Sequence, residues 1–149
     1  MISIRTYFAT AALLLGAAIP FATAQSVQAA QPQPAIYGTW MNPYGSVAVR
    51  TGPCLDRLCG WIVWASPEAQ ADARDGGVNQ LVGTALLENY RAEKGGSWSG
   101  TVFIPDMGRR FYSEIEQVDA NNMKVKGCIL HGLICKSQVW RRIAEPPRG

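Results

Sequence analysis

Short runs in which apolar and polar residues alternate, separated by turn residues, fill most of the chain after residue 35. Alternation with a period of two is typical of strands that are buried on one face. Turn sequences such as Asn42-Pro43-Tyr44-Gly45 and Asp119-Ala120-Asn121-Asn122 separate neighbouring runs. The pattern predicts eight strands, at residues 36–42, 46–51, 59–65, 82–91, 97–104, 110–118, 123–128 and 135–143.

Two segments are less regular. Residues 66–80 are polar and contain Gly76-Gly77, so we expect a surface loop there. Residues 82–91 fit either a short helix, because Leu86 and Tyr90 are four apart, or a strand, and we interpret them as a strand.

Strands joined by short turns form a meander, and closing eight of them into a barrel removes the exposed sheet edges. The predicted fold class is therefore all-β: an eight-stranded antiparallel up-and-down barrel. Such a barrel is either filled by its own side chains or wide enough to hold one small ligand.

The N-terminus has the pattern of an export signal. Arg5 precedes an apolar stretch that ends at Pro20, and Ala22-Thr23-Ala24 offers small residues for cleavage. We expect a signal peptide at 1–24 with cleavage near Ala24, a flexible leader at 25–35, a barrel at 36–143 and a tail at 144–149. The mature protein is then periplasmic or secreted, without a membrane span.

The 149 residues include 14 Lys and Arg against 11 Asp and Glu, a formal net charge of +3. That value, without any basic run, argues against nucleic acid as the main partner.

Four cysteines form two close pairs, Cys54 with Cys59 and Cys128 with Cys135. In an exported chain such spacings favour disulfides, and each pair brackets a short loop between predicted strands. Zinc is the weaker alternative, because the spacings are wider than C-x2-C and the single histidine, His131, lies inside one Cys loop. No C-x-x-C redox motif is present.

Several motifs together resemble a bacterial exported family, domain of unknown function 2147 (DUF2147), over about residues 36–143. They are Gly38-Thr39-Trp40, the Cys54–Cys59 loop followed by Gly60-Trp61-Ile62-Val63-Trp64, Val125-Lys126-Gly127-Cys128, and Cys135-Lys136-Ser137-Gln138-Val139-Trp140. Members of this family resemble lipocalins in fold. The resemblance implies that Gly38 and Trp40 mark the closed end of the barrel, with Arg142 stacked on the Trp40 ring.

Aromatic rings often line small-molecule pockets, although each ring is more commonly ordinary core. The candidate ligand-binding residues are Trp61, Trp64, Trp98, Phe103, Phe111 and Tyr112. Trp61 and Trp64 are three apart, so in a regular strand only one of them faces the interior.

Catalytic motifs are weak. Glu114 and Glu116 share one strand face and could form a carboxylate pair, but a solvated outer face is the simpler interpretation. His131 could be a base but is more simply a loop residue. The sequence contains neither a G-x-S-x-G elbow nor a phosphate-binding glycine loop. We therefore expect no enzyme activity and no cofactor.

The leading hypothesis is a periplasmic barrel that binds a small apolar or amphipathic molecule, such as a lipid or fatty acid. The alternative is a structural or protein-interaction module of the cell envelope whose barrel is filled.

Overall fold

A computed structural model describes residues 34–130 and 133–148. The predicted signal peptide, almost all of the predicted leader, and His131 lie outside the described residues. Within the described part, the chain forms eight strands, one α-helix and one 3₁₀ turn. These are β1 Gly38–Met41, β2 Val47–Cys54, β3 Arg57–Ala65, α1 Pro67–Asp75, β4 Ala85–Ala92, β5 Ser97–Ile104, the 3₁₀ turn Pro105–Met107, β6 Arg109–Gln117, β7 Asn122–Ile129 and β8 Ile134–Ile143.

The strands close into a barrel in sequence order, so the predicted eight-stranded antiparallel barrel is confirmed. Each strand pairs antiparallel with the next, and β1 also pairs with β8. The alternation in the sequence matches the pleat. On β7, for example, Met123 and Val125 are buried, while Lys124 and Lys126 lie on the outer face.

Segment 66–80 was expected to be a loop, and that expectation is wrong, because α1 begins within it. The Ser66 hydroxyl caps the helix by accepting a hydrogen bond from Ala69 N at 3.1 Å, and Pro67 occupies the first turn. Gly76 ends the helix. The helix buries little beyond Ala73, so its apolar pattern is faint although its start and stop signals are clear.

The closed end of the barrel is built around Trp40, which is fully buried. Its indole Nε1 donates to Ile36 O at 3.1 Å and to Thr51 Oγ1 at 3.0 Å. The Arg142 guanidinium lies 4.1 Å from the ring centroid, which is the stacking that the lipocalin resemblance implies. A Cβ at Gly38 would lie 2.0 Å from Arg142 Nη1, so this position requires glycine.

The lower half of the barrel, next to the closed end, is packed with side chains. The largest fully buried ones are Trp40, Tyr90, Leu58, Ile62, Leu87, Ile115, Met123, Val49 and Ser113. Interiors of this kind pack at crystal-like density, so this half leaves no room for a ligand of useful size.

Two disulfides join Cys54 to Cys59 and Cys128 to Cys135, as predicted. The first closes the β2–β3 hairpin at the closed end of the barrel. The second links directly opposed residues of β7 and β8, at the other end of the barrel. Each end of the barrel therefore has one disulfide that links neighbouring strands.

None of the helices in the described ranges is both long and apolar enough to span a bilayer.

Replacing Arg142 by Ala should lower the free energy of unfolding by about 3 kcal/mol, measured by urea denaturation. The variant loses the stacking on Trp40 and the bonds from Arg142 to Tyr37 O at 2.9 Å, to Ala120 O at 2.7 Å and to Ala35 O. Arg141→Ala is the matched control, because Arg141 is exposed on the opposite face, and it should change stability by less than about 0.5 kcal/mol. Equal effects of the two substitutions would contradict this role for Arg142.

Candidate functional site

The second end of the barrel is hollow. It is bordered by the β1–β2 turn, α1, the 3₁₀ turn and the β7–β8 hairpin. The end of α1 lies directly against the 3₁₀ turn, where a Cβ at Gly76 would be 2.0 Å from Pro105 O. Because this contact holds the helix in place, α1 forms one side of the opening.

The cavity has a volume of about 650 Å³, within the range of small-molecule sites. Its walls are mainly apolar and come from strands on all sides of the barrel. The apolar lining includes Val47, Leu81, Leu86, Val102, Ile104, Phe111, Val125, Ile129 and Trp140. This end of the barrel is therefore hollow and not filled by its own side chains.

A few polar groups interrupt the apolar wall. Asn42 and Ser46 lie at the β1–β2 turn and bond each other, with Asn42 Nδ2 donating to Ser46 Oγ at 2.9 Å. The charged lining residues among the described ones are Asp72 on α1, Asp106 on the 3₁₀ turn and Lys136 on β8. The two carboxylates and the ammonium thus belong to different elements around the opening.

Gln138, next to Lys136 on the same inner face of β8, is oriented by Trp140. The indole Nε1 donates to Gln138 Oε1 at 3.0 Å. An indole N–H can only donate, so the amide oxygen faces Trp140 and the amide NH₂ is left to donate elsewhere.

Phe111 and Phe103, two of the candidate rings, both border the cavity. Phe111 pairs with buried Val102, so its ring is on the inner face. Phe103 pairs with Arg110, whose guanidinium lies 4.6 Å from the ring centroid. Since neighbouring residues of a strand alternate, the Phe103 side chain is on the outer face, where it is buried against the Arg110 guanidinium, while the residue also borders the cavity.

Trp61 and Trp64 were expected on opposite faces, and that expectation is wrong. They pair with Arg50 and Ala48 of β2, which are two apart and therefore share a face. The register shifts between Ala48 and Val49, which leaves Val63 without a partner and turns Trp64 to the side of Trp61. Both rings are half-buried on the outer face, and neither borders the cavity.

The two remaining candidate rings also lie away from the cavity. Trp98 pairs with fully buried Ile115 and packs on the core of the lower half. Tyr112 is half exposed on the outer face, where its hydroxyl donates to Glu114 Oε1 at 3.0 Å.

Glu114 and Glu116 lie on the outer face of β6 and pair with lysines of β7. Glu114 Oε2 is 3.1 Å from Lys126 Nζ, and Glu116 Oε2 is 2.5 Å from Lys124 Nζ. The bond from Lys126, with the one from Tyr112, lowers the pKa of the Glu114 carboxyl. The depression between them holds only about 120 Å³. A carboxyl kept ionised in this way is poorly suited to act as an acid.

Among the residues that the structure describes, no group of three or more His, Cys, Asp or Glu side chains is placed to hold a metal ion.

Two buried polar groups below the cavity were not identified from the sequence. Tyr90 and Ser113 are both inaccessible to solvent. Neither hydroxyl makes a hydrogen bond of ordinary geometry, although Ser113 interacts with the Tyr90 hydroxyl and lowers its pKa against the larger effect of burial. The Tyr90 ring lies over Gly100, where a Cβ would be 2.6 Å from Tyr90 Cγ. Ser113 is directly opposite Gly100 and Gly127. Alternation predicts that these residues face inward but not that their hydroxyls lack a hydrogen bond of ordinary geometry.

Fold and site together define an eight-stranded antiparallel barrel with one packed end and one hollow end. The sequence matches the family model described as "Uncharacterized protein conserved in bacteria (DUF2147)" over residues 38–142. The chain therefore belongs to this family, as the sequence motifs indicated.

Among solved structures, the fold is similar to that of protein HP1028 from Helicobacter pylori, which is described as belonging to the lipocalin family. The match has a TM-score of 0.58 and 12% sequence identity, and it covers 73% of this chain and 83% of that one. At this identity the similarity establishes the lipocalin-like fold. The search of curated proteins gave no match.

Burial raises the pKa of the Tyr90 hydroxyl above its ordinary value. The folded state therefore favours the neutral phenol, and its stability should fall as pH rises above about 10, where the unfolded chain ionises. By pH 11 the loss due to Tyr90 is about 1.4 kcal/mol. Between pH 9 and pH 11, the free energy of unfolding of Tyr90→Phe should therefore fall by about 1.4 kcal/mol less than that of the original protein, as measured by urea denaturation.

Tyr44→Phe is the control, because Tyr44 is 69% exposed, and it should leave the pH dependence unchanged. If the free energy of unfolding of Tyr90→Phe falls between pH 9 and pH 11 as much as that of the original protein, Tyr90 is not the source of the pH dependence.

Proposed function

We propose that this protein is an extracytoplasmic carrier that binds a small apolar or amphipathic molecule, such as a lipid or fatty acid, in the hollow half of its barrel. The observation that carries the proposal is the cavity of about 650 Å³ with apolar walls and a few polar groups. Transfer of an apolar ligand from water to such walls is favourable by roughly 25 cal/mol per Å² buried.

The packing of the two halves supports the same function. The lower half, the Arg142–Trp40 stacking and the two disulfides fix the frame of the barrel. A cavity in such a frame is largely preformed, so little ordering cost opposes binding. The alternative, an interaction module with a filled barrel, requires a solid interior and is not favoured by this hollow.

The proposed compartment rests on two features of the chain. The first 24 residues have the pattern of a cleaved export signal. All four cysteines are paired in disulfides, which persist mainly in oxidising compartments such as the periplasm.

Binding is tested with N-phenyl-1-naphthylamine, a neutral apolar dye that fluoresces when it leaves water. The protein should bind it, and Val47→Trp should weaken the affinity about tenfold or more, because Val47 is a half-buried residue of the cavity wall and the larger ring fills the space.

Val139→Trp is the matched control, since Val139 is 51% exposed on the outer face, and it should leave the dye affinity unchanged. Circular dichroism verifies that both variants are folded. A protein that does not bind the dye, or a Val47→Trp variant that binds it as well as Val139→Trp does, would contradict the proposed function.

A further inference from the structure

One row of inward-facing residues crosses four neighbouring strands of the barrel. Gly100 on β5, Ser113 on β6, Gly127 on β7 and Lys136 on β8 are paired in direct register. Directly opposed residues share a face, and fully buried Ser113 shows that this face is the inner one. Two glycines in one row leave gaps between the side chains that flank them.

The gap over Gly100 is filled, but the gap over Gly127 is open. The Tyr90 ring occupies the space over Gly100. At Gly127, the one heavy atom within 4 Å of a Cβ position is Val102 Cγ1 at 3.6 Å, and Gly127 borders the cavity. We call this opening, bounded by Ser113 on one side and Lys136 on the other, the glycine notch.

The groups around the glycine notch are hydrogen-bond donors. Ser113 itself is fully buried and is not among the residues that border the cavity, so its hydroxyl is not accessible to a ligand there. Lys136 borders the cavity on the other side of Gly127. Gln138, at the next inward position on β8, also borders the cavity, and because its amide oxygen accepts from Trp140, its amide NH₂ is the group that can donate to a ligand.

The charges of the cavity favour an anion at this wall. Lys136 is the one cation among the described lining residues, and the two lining carboxylates, Asp72 and Asp106, belong to α1 and the 3₁₀ turn. An anionic group is repelled from the two carboxylates and attracted to Lys136. Lys136 borders the cavity and is exposed, and a charge-assisted bond to its ammonium is stronger than a neutral one.

We infer that the glycine notch binds the carboxylate of an amphipathic acid, with Lys136 and the Gln138 amide as its donors and the acyl chain against Leu86, Val102 and Phe111. This inference rests on the proposed function and adds the class of ligand. It makes Lys136 a specificity-determining residue and Gly127 the residue that leaves room for the headgroup.

The test compares dodecanoate with methyl dodecanoate, which has the same chain and no charge, as competitors of N-phenyl-1-naphthylamine. The protein should prefer dodecanoate. Lys136→Met keeps most of the length of the side chain and removes its charge. It should lower the affinity for dodecanoate by about fivefold, and the affinity for the ester by less than twofold.

A second variant, Gly127→Val, fills the glycine notch without changing any charge, and its backbone is not in the left-handed region. It should also reduce the preference for dodecanoate. Lys126→Met is the matched control, because Lys126 is the neighbouring lysine on the outer face, where it pairs with Glu114. It should leave both affinities unchanged.

The outcomes separate the two proposals. The dye and the ester could bind without any preference for dodecanoate, or Lys136→Met could change the affinities for acid and ester equally. Either result would overturn carboxylate binding at the glycine notch and leave the carrier function standing. If neither the dye nor either competitor binds, the carrier function is overturned and the glycine notch with it.

Discussion

The structure depends on the seam between β1 and β8, where the barrel closes. β1 has only four residues and meets β8 at three registered pairs, of which Trp40 with Arg142 is the central one. So short a pairing of strands makes few backbone hydrogen bonds. The Arg142 guanidinium, stacked on Trp40, adds hydrogen bonds to Tyr37 O on the β1 side and to Ala120 O on the other side. Without closure, β1 and β8 would become exposed edges, and the space between them would not be a cavity.

With the seam closed, the interior of the barrel has a packed half and a hollow half. Large residues such as Trp40, Tyr90 and Met123 meet in the lower half. Nearer the opening, the inward residues line the wall and leave the cavity open, Gly127 adds no side chain to it, and α1 lies at the rim. The same frame therefore supplies rigidity at one end and volume at the other.

Much of the fold could be predicted from the sequence, and the cavity much less. The alternation of apolar and polar residues predicted the strands and the inward direction of the Phe111 side chain. The spacing of the cysteines predicted both disulfides. Trp61 and Trp64 were misplaced because a bulge at Val63 changes the face of every later residue, and periodicity does not reveal a bulge. α1 was missed because its signals are polar caps. The glycine notch depends on register across four strands, which no single strand encodes.

The barrel is hollow at one end and solid at the other. Methyl NMR spectra recorded during titration with N-phenyl-1-naphthylamine distinguish the two halves. We expect shifts at Val47, Leu86, Val102 and Val125, which border the cavity, and unchanged methyls at Val49 and Leu58 in the packed half. Shifts confined to exposed methyls such as Val118 and Val139, or shared equally by both halves, would contradict the account.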